Sequence, residues 1–236
     1  ENLIVVHGPG AFTGDVDMLT GRASVISAIA DSDVEAFRLC APRLRRLLGT
    51  CPSMSEMLLE AFQARRGLLR STAFLGLRVI GQAGTRETTR MREFFYKNHV
   101  PHAFFDANSS EGQQHLETLE AVDLQLPVVF CNGHTLGNPS LPSIAECIGI
   151  SRNVDQKLYD LVIVGAGPAG LAASVYAASE GIKTLVIDTV GPGGQAGSSS
   201  KIENFMGFPS GLSGSELANR GYLQALRFGA EFIAPI

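Results

Sequence analysis

The sequence predicts an α/β protein assembled from three successive segments, and three observations carry that reading. Residues 158–188 run from an apolar strand through a glycine turn into an alanine-rich helix and a second strand. Residues 76–150 alternate strand-like and helix-like stretches. Residues 1–40 instead hold short β-like runs, and helical periodicity follows from 41 to 70. A chain of 236 residues fits one large domain or two to three small ones at about 100–200 residues each.

The composition narrows the classes before any motif is read. With 45% hydrophobic and 18% charged residues, the chain suits packed globular structure. A net charge of −4, with no dominant basic block, gives no electrostatic footprint for nucleic acid. No apolar run reaches the roughly 18 residues needed to cross a bilayer, and the opening ENLIVVHGPG lacks the basic start and apolar stretch of a signal peptide. Cys40, Cys51, Cys131 and Cys147 are widely spaced with no C-x-x-C pair, which argues against a zinc ribbon or a local dithiol. They are expected to be buried small hydrophobes in a reduced, cytoplasmic chain, with long-range pairing left open. No metal site is expected.

In the first segment, LIVV at 3–6 and ASVISAIA at 23–30 flank the turn GPGAFTGD and predict part of a β-roll. From 41 to 70, Ser53 and Glu56 form an S-x-x-E capping box. Met54, Met57, Leu58, Ala61, Phe62 and Leu69 recur at helical spacing behind it. Arg43, Arg45, Arg46, Arg65, Arg66 and Arg70 read either as a solvated face or as a site for an anionic partner.

The second segment predicts a strand in GLRVIGQA, a helix from Thr85 to about Asn98, a strand in PHAFFDA and a helix from about Ser110 to Ala121. A strand in PVVFC, a glycine turn and a helix from Pro142 to Gly149 complete it. This order resembles a thioredoxin or glutaredoxin fold. That family carries a C-x-x-C at the start of its first helix, where the helix dipole favours thiolates. Here the positions are Thr85 and Thr88, whose hydroxyls cannot exchange with disulfides. Pro127 matches the family's cis-proline, and it also reads as a proline that simply opens a strand.

After the polar linker SRNVDQKLYD, the third segment carries G-x-G-x-x-G at Gly165, Gly167 and Gly170, with Pro168 and Ala169 inside it and the acid Asp188 closing the second strand. The glycines permit a tight turn, close approach of a pyrophosphate, and helix-on-strand packing, while Asp188 would accept from a ribose hydroxyl. A dinucleotide site on a Rossmann-like unit follows. Residues 191–214, GPGGQAGSSSKIENFMGFPSGLSG, then resemble the low-molecular-weight thioredoxin reductases, FAD flavoproteins with G-G-Q followed by E-N-aromatic. The resemblance implies FAD contacts at Gly193, Gly194, Gln195, Glu203 and Asn204. It also implies NADPH as reductant and a disulfide-containing protein such as a thioredoxin as partner.

FTGDVDMLTGRAS at 12–24 resembles the phosphate-binding cassette of cyclic-nucleotide-binding domains, with Asp15 where that family has Glu and a short spacer to Arg22. The expected organisation is therefore a partial cyclic-nucleotide-binding-like domain over 1–72 with C-terminal helices. A thioredoxin/glutaredoxin-like domain without C-x-x-C follows over 73–152, and the first half of an FAD-binding domain over 153–236. The chain reads as a piece of a longer homodimeric oxidoreductase, with the redox C-x-x-C outside it. The competing reading is a regulatory or interaction protein that uses the first two modules to sense a ligand or dock a partner.

Overall fold

The computed structural model describes residues 5–14, 17–20, 27–71, 77–151 and 158–236. In the first segment the regular structure among these is helical: α1 (Asp17–Thr20), α2 (Ala41–Thr50) and α3 (Pro52–Ser71). Residues 5–6 and 27–30 join no sheet, and Val5, Val6 and Ile29 are exposed. Apolar patterning gives a strand only when a neighbour takes up its N–H and C=O groups. The rest of the expected β-roll runs, together with Asp15 and Arg22, lies outside the described residues.

The capping box expected at Ser53 and Glu56 is displaced. Helix α3 begins at Pro52, and Ser55 N–H donates to the Cys51 carbonyl at 2.9 Å, so Cys51 occupies the cap. A proline at the first helical position has its φ preset and no N–H to leave unpaired, which draws the helix start ahead of Ser53. Two of the arginines donate to backbone carbonyls. Arg45 donates to the Leu19 carbonyl at 2.9 Å, and Arg65 donates to the carbonyls of Phe12 at 2.7 Å and Gly14 at 2.9 Å. The Arg65 guanidinium also lies 3.9 Å from the centre of the Phe12 ring, fastening the segment before α1 onto α3.

The second segment contains β1 (Leu77–Gly81), α4 (Arg86–Lys97), β2 (Ala103–Asp106), α5 (Ser110–Thr118), β3 (Val128–Cys131), β4 (His134–Gly137) and α6 (Leu141–Cys147). Its sheet has the order β2-β1-β3-β4, with β2 parallel to β1 and the other two pairs antiparallel. The period-2 rule assigns the faces. Leu77 and Val79 of β1 join Val129 and Cys131 of β3 under α4 and α6, whereas Ile80 and Val128 face Leu116 of α5. Ser109 Oγ caps α5 by accepting from Gly112 N–H at 3.0 Å. The Leu126–Pro127 peptide is cis.

The cysteines depart from the expectation of free, buried thiols. Cys131 at the end of β3 and Cys147 at the end of α6 form a disulfide, their Cα atoms 6.5 Å apart, while Cys40 is exposed and Cys51 half-buried. Strand and helix ends converge there although the residues are 16 apart in sequence, which spacing alone does not reveal. A crosslink closing a loop of this length contributes about 3 kcal/mol. Cys147→Ser is therefore expected to lower stability by about 2–4 kcal/mol in urea melts, and a thiol reductant should reproduce that loss in the wild type. Equal midpoints for all three samples would mean that the crosslink does not stabilise the fold.

The third segment contains β5 (Leu161–Val164), α7 (Pro168–Ser179), β6 (Thr184–Ile187), a 3-10 turn at Ala196–Ser198, α8 (Gly214–Phe228) and β7 (Glu231–Ile233). β5, β6 and β7 pair in that order, all parallel. Ile163, Val186 and Phe232 lie side by side in register and pack with Leu171 of α7 and Leu223 and Leu226 of α8. Leu44, Leu48, Leu58 and Phe62 of α2 and α3 belong to the same core, so the first segment's helices share their apolar interior with the third segment. Among the described residues no helix is long and apolar enough to cross a membrane.

Candidate functional site

The site grows out of the end of β5. Gly165 has φ +99°, a left-handed conformation that side chains rarely adopt, and its N–H donates to Ile187 O at 2.8 Å. Gly167 caps α7, and Pro168 opens it. The first N–H groups of a helix lack intrahelical partners, and no acidic residue occupies the first turn of α7 to compete with an anion there.

Between the two glycines, the peptide groups flanking Ala166 are held from both sides. Ala166 N–H donates to Asp188 Oδ2 at 2.8 Å, and Ala166 O accepts from Gly193 N–H at 2.8 Å. Asp188 Oδ1 accepts from the N–H groups of Val190 and Gly191, each at 2.9 Å. The carboxylate thus ties the 165–170 turn to the start of the 190–194 loop, a structural role that its position after β6 does not disclose in sequence. Oδ1 is saturated by its two bonds, and Oδ2, with one, retains a lone pair.

The 191–194 loop wraps against the turn. A Cβ on Gly194 would stand 3.0 Å from Gly167 Cα, and one on Gly193 would stand 3.0 Å from Ala218 Cβ of α8. Above the turn there is room: a Cβ on Gly165 would meet nothing within 4 Å, and one on Gly167 would meet only Gly194 Cα, at 3.9 Å. Side-chain-free backbone facing open space at a helix N-terminus fits a pyrophosphate.

Gly165, Gly167, Pro168, Ala169, Gly170, Asp188, Gly193 and Gly194 therefore gather around one turn and its closing loop. Gln195 is exposed at the start of the 3-10 turn, where its carbonyl accepts from Ser198 N–H. Glu203 and Asn204 lie exposed on an excursion closed by the Ile202–Leu212 bridge, with Glu203 paired to Lys201. Among the described residues no group of three or more His, Cys, Asp or Glu could hold a metal ion.

Sequence reasoning passed over α8, which forms one wall of this site. Its start was readable: Ser213 and Glu216 make an S-x-x-E pattern, and Ser213 Oγ accepts from Glu216 N–H at 3.1 Å. Its end was readable too, at Gly229 with φ +96°.

Residues 159–234 match the pyridine nucleotide-disulphide oxidoreductase family model. The match covers the glycine turn, Asp188, the closing loop and α8. The thioredoxin reductase of Bacillus subtilis (strain 168) is 45% identical over 78 residues, 33% of this chain and 24% of the relative. That of Aquifex aeolicus (strain VF5) is 49% identical over 77 residues, again 33% and 24%. A solved structure, the atypical thioredoxin reductase TRi from Desulfovibrio vulgaris Hildenborough, aligns at 46% identity with a TM-score of 0.29, covering 32% of this chain and 25% of that one. The chain thus spans about a quarter of the length of these oxidoreductases.

The second segment holds a separate constellation. Thr85 Oγ1 donates to Thr88 Oγ1 at 2.8 Å at the start of α4. A Cβ on Gly81 would lie 2.5 Å from Thr88 Oγ1 and 3.0 Å from Pro127 Cβ, so the threonine and the cis-proline are neighbours at the end of β1. The Cys131–Cys147 disulfide lies at the opposite end of the sheet, where Cys131 pairs with Leu77.

Proposed function

We propose that this chain is part of an FAD-dependent NADPH:disulfide oxidoreductase resembling thioredoxin reductase, acting on a disulfide-containing protein such as a thioredoxin. The observation that carries the reading is the Gly165–Gly170 turn closed by the 191–194 loop, with open space above Gly165 and Gly167. The identity to thioredoxin reductases over this stretch supports the assignment of the dinucleotide as FAD.

Bound FAD supplies the two-electron relay between NADPH and a disulfide. In balance, NADPH, a proton and a disulfide give NADP⁺ and two thiols. The share of this chain is binding and orientation. Gly165 and Gly167 leave the pyrophosphate room, and the N-terminus of α7 favours its charge. Asp188 and Gly193 hold the backbone on either side of Ala166 so that the turn does not rearrange when the ligand arrives. Asp188 is also the candidate acceptor for a ribose hydroxyl, and Gln195, Glu203 and Asn204 are candidates for the flavin and its side chain.

In the same reading, residues 1–72 are a partial cyclic-nucleotide-binding-like domain and residues 73–152 a thioredoxin/glutaredoxin-like module without C-x-x-C. The sheet order and the Thr85–Thr88 hydroxyl pair at the start of α4 support the second of these. Its role is docking or packing, since hydroxyls of ordinary acidity cannot attack a disulfide.

The test is the visible spectrum of the purified full-length protein, followed under anaerobic NADPH titration. Stoichiometric flavin that bleaches on NADPH addition is the expected result. A colourless protein that gains no flavin on incubation with FAD overturns the assignment.

A further inference from the structure

The loop that closes the dinucleotide turn touches more than its own segment. Asn98 follows the last residue of α4, is 5% exposed, and donates from Nδ2 to two carbonyls. One is Phe94 O of its own helix, at 2.9 Å. The other is Val190 O, at 2.6 Å and 92 residues away in sequence. Asn98 Oδ1 is buried with no hydrogen-bond partner. Local capping of α4 therefore does not account for this side chain, because a buried amide is costly unless its bonds are made.

We propose that Asn98 is a positioning residue for the dinucleotide site, holding the Val190–Gly194 loop from the neighbouring segment so that cofactor retention depends on the end of α4. The inference rests on the flavin reading above. Val190 is held on both sides: its N–H donates to Asp188 Oδ1 and its C=O accepts from Asn98. Its side chain packs against the core formed by β1, α4, β3 and α6. Gly191 comes so close to α4 that a Cβ there would lie 2.7 Å from Asn98 Nδ2 and 2.9 Å from Lys97 Cβ, and its φ is +157°. Two residues later Gly193 N–H reaches Ala166 O, so a shift at Val190 passes directly to the pyrophosphate turn. The ring of His99, the next residue, stacks on Tyr222 of α8 with centroids 6.2 Å apart.

The experiment uses the full-length protein with Asn98→Leu, which nearly keeps the size but removes the donor, and Gly191→Ala, which forces the loop off α4. Amide hydrogen exchange of the apoprotein and FAD affinity are measured for each. Both variants should speed exchange in the 188–197 stretch and weaken FAD about tenfold, the loss of roughly one such hydrogen bond. Exchange in β1 and β3 should stay unchanged. Wild-type loop exchange and FAD affinity in both variants would overturn the inference, as would acceleration spread equally over β1 and β3, the mark of a merely structural residue. A wild-type protein that takes up no FAD would instead remove the flavin reading, and loop exchange in the variants would still decide whether Asn98 positions the loop.

Discussion

The Gly167→Val substitution is expected to weaken FAD binding by the full-length protein at least about 100-fold while leaving the apoprotein folded. Gly167 has φ −71° and ψ −179°, extended backbone open to any residue, and a Cβ there meets nothing closer than Gly194 Cα at 3.9 Å. The branched side chain therefore enters the open space without distorting the turn. Two charge-assisted hydrogen bonds from backbone to pyrophosphate, each worth about 1.5–3 kcal/mol, would be displaced. The penalty on the apoprotein is that of a poorer helix cap, about 1 kcal/mol. Equilibrium titration of the apoprotein with FAD, paired with a urea melt, checks both halves. Retained stoichiometric flavin would show that no pyrophosphate crosses this turn.

Three residues on, Gly170→Ala should do the opposite and damage the fold itself. A Cβ on Gly170 would lie 1.9 Å from Gly165 O and 3.1 Å from its carbonyl carbon, and both are backbone atoms that no rotamer change can move. Alanine in a helix gains about 1 kcal/mol over glycine, whereas overpacking against fixed backbone costs about 1–3 kcal/mol or more. The clash wins. We expect a net destabilisation of about 2 kcal/mol in the urea melt, with loss of FAD as a consequence of the displaced turn. A variant as stable as the wild type would mean that helix α7 and β5 are not packed so closely here. The pair of substitutions separates the glycine needed by the ligand from the one needed by the chain.

What could be read from the sequence was whatever is encoded within a few residues. The strand, turn and helix around Gly165–Gly170 were legible because glycine and proline act locally, and the helix bounded by Thr85 and Asn98 was legible because its apolar face repeats. β4 was missed because His134–Gly137 is a short, largely exposed edge strand without apolar alternation. It forms only because β3 offers it a partner. At Ser53 a capping pattern was outcompeted by Pro52, a contest between two local signals that the spacing rule does not rank. The disulfide, the inward-facing carboxylate of Asp188 and the reach of Asn98 to Val190 all depend on which chain ends meet, and none leaves a mark on nearby residues.

The bond from Asn98 to Val190 also bears on the order in which the site is completed during synthesis. Domains generally fold as units from the N-terminus as the chain emerges, at about 5–20 residues per second, so the 92 residues between these two take roughly 5–18 s to make. Residues 77–151, with their own sheet and core, leave the ribosome before the loop does. Helix α4 is then already in place when Val190 appears, and the loop settles onto a finished surface. A delay in maturation of the earlier segment would leave β5, α7 and β6 able to pair while the loop between Val190 and Gly194 still lacked its outer anchor. Newly made chains would then differ in how soon they can take up a ligand, even with every residue of the turn correct.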